Sequence, residues 1–153
     1  MKLAVAALAT YAWLLACPAA AQHAHDAAAP ADQRAVVPMP AHLRLHTLAH
    51  MREHLQAIGE IQAALGRGAF DRASQLAEQQ LGMTSLKTHG SDEVAPYMPA
   101  PMQRMGNEMH RAGSRLALEI ANASATGNLR GPLEALGELS AQCVACHASY
   151  RLQ

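Results

Sequence analysis

Aromatic side chains are scarce in this chain, at 3% of its 153 residues, with a single Trp and a single Phe. A core made from it rests on Ala, Leu, Ile and Met, and supplies little flat apolar volume of its own. Excess charge is missing too: 12 Lys+Arg balance 12 Asp+Glu, which excludes a polybasic nucleic-acid binder. The apolar run from Leu3 to Leu15 is too short for a spanning helix. Half the residues are nevertheless hydrophobic, so disorder throughout is excluded and one domain of ordinary size is expected.

Lys2, the run from Leu3 to Leu15, and then Pro18 and Ala19 to Ala21 read as a secretory signal peptide over 1–21, with cleavage before Gln22. The expected location is the periplasm. The alternative is a lipid anchor through Cys17, since Leu14-Leu15-Ala16-Cys17 loosely resembles a lipoprotein box, although Pro18 and the downstream site argue against it. Cleavage leaves Phe70, Tyr97 and Tyr150 as the aromatics and Cys143 and Cys146 as the cysteines. No transmembrane segment is expected in the mature chain.

Residues 22–40 are Ala, Pro, His and Asp without a sustained apolar period and read as a flexible leader. Over 41–153, four segments have helical periodicity and none alternates like a strand. The first, His42 to Leu65, carries Leu48, Met51, Leu55, Ile58 and Leu65 and stops at Gly66 and Gly68. The second spans Asp71 to Lys87, and a linker with Pro96, Pro99 and Pro101 follows. The third, Pro101 to Ala123, groups Met102, Met105, Met109, Leu116 and Ile120 in one sector. The fourth, Pro132 to Arg151, puts Leu133, Leu136, Leu139, Cys143, Cys146 and Tyr150 on one side. The expected fold is all-α, an antiparallel four-helix bundle.

Cys143-Val144-Ala145-Cys146-His147 is the attachment pattern for haem c. Cysteines three apart share one helical face, so their thiolates reach two vinyl groups on one porphyrin edge and His147 can ligate iron. A thioredoxin-like pair would need a strand-to-helix setting, and a zinc site a second ligand pair at family spacing. Neither is visible in the sequence. The expected cofactor is one covalently attached haem c, which would also provide the flat apolar volume that the side chains lack.

With His147-Ala148-Ser149-Tyr150-Arg151 closing a chain of four helical segments, the sequence resembles the class II cytochromes c, cytochrome c-prime and its low-spin relatives. The resemblance covers about Leu43 to the end. It implies a haem-enclosing bundle, dimerisation through helices in some relatives, and dependence on the c-type cytochrome maturation machinery. In the first helix Arg44, Leu48, Met51 and His54 fall at the spacings of the c-prime pattern, which implies an arginine near a haem propionate and Leu48 over the iron. Low-spin relatives carry a methionine ligand on this helix, and Met51 is three residues beyond Leu48.

From the residues themselves, Arg44 shares a sector with Leu48, Met51 and Leu55, where a propionate would satisfy it; the alternative is a side chain snorkelling at the helix start. Arg151 has the same two readings. An ideal wheel centred on the apolar residues puts Met51 between Leu48 and His54, and thioether is the soft ligand suited to an electron carrier, so Met51 is the expected distal ligand. Met102, Met105 and Met109 read as adaptable packing, and Met98 in the linker is placed to fold over a haem edge.

His42, His46, His50 and His54 recur every four residues, with a drift of about 40° per step. Adjacent pairs could chelate Zn²⁺ or Cu²⁺, against the plainer reading of a solvated face, and His23 and His25 in the leader would add weak affinity. No hydrolase triad, phosphate loop or paired carboxylates accompany them, and no enzyme activity is expected. The expected function is an exported monohaem electron carrier serving redox partner proteins. The alternatives are a five-coordinate haem protein binding NO or CO, with Leu48 over the iron, and a metal-handling protein using the histidine row.

Overall fold

Prolines open two of the long helices and glycine closes the first. Pro40 and Pro99 stand at the N-caps of α1 (Ala41–Gly66) and α5 (Ala100–Ala123), with ψ 139° and 144° that set extended backbone before the first turn. Past the end of α1, Gly68 takes φ 70°; its N–H donates to the Leu65 carbonyl at 3.0 Å and that of Ala69 to the Ala64 carbonyl at 2.9 Å. These two bonds form a Schellman cap that a β-carbon at Gly68 would strain. A computed structural model describes residues 31–153, so the expected signal peptide and residues 22–30 of the leader lie outside the described residues. Its elements are β1 (Ala35–Val37), α1, α2 (Phe70–Leu76) continuing into a π turn (Ala77–Leu81), α3 (Ser85–Thr88), α4 (Ser91–Val94) with a 3₁₀ turn (Ala95–Tyr97), α5, α6 (Arg130–Ser149) and β2 (Tyr150–Leu152). The chain is mostly helical, and among the described residues no helix is long and apolar enough to cross a membrane.

The main core joins α1, α2, the π turn, α5 and α6. Ile61, Leu116, Ile120 and Leu139 are fully enclosed at its centre, with Leu65, Ala73, Leu81 and Leu136 around them. Packing is closest between α5 and α6, then between α2 and its neighbours α5 and α1, whereas α1 and α6 have at most marginal backbone contact. The second segment is not one helix to Lys87: the chain bends at Gly82, which is extended at ψ −179°. The expected linker likewise contains α4 and a 3₁₀ turn.

The inward face of α1 differs from the expected one. At about 100° per residue, Leu43, Thr47, His54, Ile61 and Leu65 share one narrow sector, and all but the half-buried His54 are buried. Arg44, Leu48, Met51 and Leu55 lie about a quarter-turn away, with Leu48 37% and Leu55 70% exposed. Met51 is therefore on the flank, not at the sector's centre. The apolar count alone misplaced that centre, because Thr47, His54 and small alanines fill the true inward row. On α6, Leu133 is 58% exposed and falls outside the row of Pro132, Ala135, Leu136 and Leu139.

Both ends of the described chain meet. β1 pairs in parallel with β2, in the register Ala35 with Tyr150 and Val37 with Leu152, and Met39 and Gln153 extend the ladder by further backbone bonds at 3.1 Å. The last part of the expected leader is thus ordered, with Val37 fully buried and Met39 nearly so. α6 ends at Ser149 instead of Arg151 because Tyr150 turns extended to enter this ladder. A second small cluster of Met39, Leu43 and Val94, flanked by Met98 and Leu152, fastens the strands to α1 and α4.

Candidate functional site

Two groupings of reactive side chains stand on this frame. The first is the motif at the end of α6. Cys143 and Cys146 continue the sector of Leu136 and Leu139, yet where those leucines are buried the cysteines are only half-buried. Both are free thiols, and burial pushes both up from the ordinary thiol range, the neighbouring Cys143 also raising Cys146. His147 is exposed at the margin of the same row, and its carbonyl accepts a long 3.5 Å contact from Arg34 Nη1. Arg151 is half-buried on β2, opposite Val36.

One flank of α1 leaves apolar side chains uncovered. Its Glu53, Gln56, Ala57 and Glu60 border a polar groove against Arg72 and Gln80 at α2 and the π turn. Arg44, Leu48, Met51 and Leu55 occupy the opposite flank of the same helix, away from α2, with Arg44 and Met51 half-buried. The thiol pair, half-buried and three residues apart on one side of α6, supplies the two sulfurs that a group bound through two thioethers requires. The polar groove itself is not beside the cysteines and does not suit such a group.

The second grouping is a cluster of histidines drawn from three parts of the chain. His54 from α1, His89 from the turn after α3 and His110 from α5 each offer a ring nitrogen within 4.8 Å of those of the other two. His54 Nε2 lies 3.3 Å from His89 Nδ1. Their ring centroids are 5.0 Å apart, and that of His110 is 5.7 Å from His54 and 6.0 Å from His89. His110 is only 7% exposed. Its Nδ1–H donates to the Leu81 carbonyl at 3.0 Å, with Ser85 Oγ at 3.2 Å, which leaves Nε2 as its lone-pair nitrogen.

Local backbone explains that bond. The chain leaves the π turn at Gly82, so the Leu81 carbonyl faces α5 instead of continuing a helical ladder. α5 can approach because Gly113 has no side chain: a β-carbon there would overlap the Leu81 carbonyl. π turns often mark functional positions, and this one sets a histidine.

His46 and His50 border the cluster. His46 Nε2–H donates to the His89 carbonyl at 3.2 Å and lies 3.1 Å from His50 Nε2, while His50 Nδ1–H donates to Glu53 Oε2 at 2.7 Å. Burial holds His54 and His89 down to about 4, with repulsion by neighbouring imidazoles adding to it. Burial also lowers His110, against the opposing effect of its bonds to the backbone at Leu81 and Gly82. The buried His110 and the half-buried His54 and His89 are neutral imidazoles near pH 7, the form that binds metal.

The histidine row on α1 thus contributes His54 to the cluster and His46 and His50 to its border, whereas His42 is exposed outside it. Sequence reasoning missed His89 and His110. The former adjoins Gly90, which turns the chain at φ 61°, and the latter follows the methionine stripe; neither has a spacing that signals a ligand. No protein-family model, curated protein or solved structure matches this chain.

Proposed function

We propose that this protein is an exported monohaem c-type cytochrome that carries one electron between partner proteins, its helices forming an antiparallel four-helix bundle around the haem. The observation that carries this reading is the Cys143-Val144-Ala145-Cys146-His147 motif with both thiols free, half-buried and in line with the inward row of α6. Each thiol adds across one vinyl group, the hydrogen of the S–H passing to the vinyl carbon, so attachment needs no external oxidant. His147 is the proximal ligand, set just outside the thioether row. Bound haem c supplies a reversible Fe³⁺/Fe²⁺ couple.

The chain's own residues set the environment of that couple. Leu48 and Leu55 on α1 exclude water from the group's apolar face, and Arg44, on the same flank, is placed to pair with a propionate. Arg151 serves the other propionate or packs nearby. Met51 is the distal ligand: it is half-buried between the exposed leucine flank and the inward row, while Leu48 lies further round the helix. A thioether ligand raises the potential and closes the sixth position to gases.

The absorption spectrum of purified holoprotein in both oxidation states, with and without CO, tests this reading. It predicts a low-spin ferrous spectrum with slow CO uptake, converted to high spin by Met51→Ala. A high-spin parent that takes up CO rapidly would reject Met51 ligation and leave Leu48 over an open, gas-binding iron.

A further inference from the structure

We propose that His54, His89 and His110 form a second metal site that binds one Zn²⁺ or Cu²⁺ ion, independent of the CxxCH motif. Three observations converge on it. Each of the three histidines comes from a different part of the fold, so no helical repeat brought them together. One ring nitrogen from each lies within 4.8 Å of the others, and the 3.3 Å between His54 Nε2 and His89 Nδ1 equals the edge of a tetrahedron with metal–nitrogen bonds of about 2.0–2.1 Å. The third observation is orientation from behind. A ligating imidazole usually donates its other N–H to a carbonyl or carboxylate, and His110 does so to Leu81 at 3.0 Å from an otherwise buried position.

The chemistry of the donors selects the ion. An all-imidazole set suits Zn²⁺ and Cu²⁺, while Ca²⁺ and Mg²⁺ require oxygen ligands that are not among these three. His50 bounds the site without joining it: its ring centroid lies 4.5 Å from that of His89 with the planes tilted by 35°, and its two nitrogens are engaged by Glu53 and His46. Three protein ligands leave the fourth tetrahedral position to water. The half-buried His54 and His89 give an ion its way in from solvent. Because the α1 histidine row supplies only one ligand, the ion ties α1 to the turn after α3 and to α5.

Isothermal titration of the purified full chain with Zn²⁺ alone, followed by X-ray absorption at the zinc edge, tests the site. The expected result is saturation at one ion per chain, nitrogen ligands at about 2.0–2.1 Å, and an affinity at least tenfold weaker in both His54→Gln and His89→Gln. His42→Gln, outside the cluster, should bind like the parent. Should His54→Gln fail to fold by circular dichroism, His89→Gln at the more open edge decides. Absence of saturable binding, or binding unchanged in the folded variants, would overturn the proposal, the latter pointing to the His46–His50 pair or to His23 and His25. Titration of holoprotein, whose two thiols are taken by haem, or of a Cys143→Ser/Cys146→Ser variant that folds by circular dichroism, keeps zinc from the motif, so the two readings fall separately.

Discussion

At Gly113 the α5 backbone rests against the Leu81 carbonyl, and the whole posture of His110 depends on that approach. Gly113→Ala should cost about 1–3 kcal/mol through overpacking, read as a lower urea midpoint, and should weaken Zn²⁺ binding with it; an unchanged midpoint would contradict the contact. His54 and His89 make a second prediction, for metal-free protein. Both are held to about 4 by burial and by neighbouring imidazoles, against an ordinary 6.5 that the unfolded chain regains. Between those values the unfolded state binds more protons, so stability rises with pH across the window and is lost as pH falls from about 6.5 to about 4. Thermal melts over this range should show the loss, and His54→Gln should flatten it; a parent with no slope would contradict the burial of these rings. His54 was legible as a member of the α1 row, but Gly113, His89 and His110 were not, because a glycine's close approach and a cluster assembled across three elements leave no local spacing to read.

At the scale of elements, the long helices were legible and their rotations were not. α1 and α5 begin and end within a residue of the expected His42–Leu65 and Pro101–Ala123, since breakers and caps act locally. Which face of α1 turns inward depends on its neighbours: Leu48 and Leu55 outscore Thr47 and His54 in hydrophobicity, yet the latter pair points to the core side. α6 gives the direct test. Leu139→Ala, at a fully buried position, should cost about 2–5 kcal/mol, while Leu133→Ala, 58% exposed, should fall within about 0.5 kcal/mol of the parent. Denaturant unfolding that ranked the two the other way would show the helix rotated. The β1–β2 ladder escaped notice because three-residue strands carry too few side chains for alternation to register, and their pairing joins opposite ends of the chain. Removal of 150–153 takes away the partner strand of β1 and should lower the melting temperature by uncovering Val37 and Met39; an unaffected melt would make the ladder incidental.

For the molecule as a whole, two halves of the structure are unequally filled. Around Ile61, Leu116, Ile120 and Leu139 the helices close on one another completely. Elsewhere burial is less complete: the inward row of α6 passes from buried leucines to half-buried cysteines, and α1 leaves Leu48 and Leu55 uncovered on one flank. We propose that a helical protein with so few aromatic residues and two half-buried thiols in CxxCH is completed by a porphyrin that belongs to its fold. The motif is readable in the sequence because the covalent attachment we propose would demand a fixed spacing of specific atoms, whereas the proposed distal side depends on helix rotation that only packing determines. Intact mass spectrometry of the denatured protein, expressed with a competent c-type maturation system, tests this most directly. The account predicts a mature chain carrying the mass of one haem that acid and detergent do not remove, and loss of the two-thioether product in Cys143→Ser or Cys146→Ser. A mature chain of unmodified mass from the same expression would contradict it.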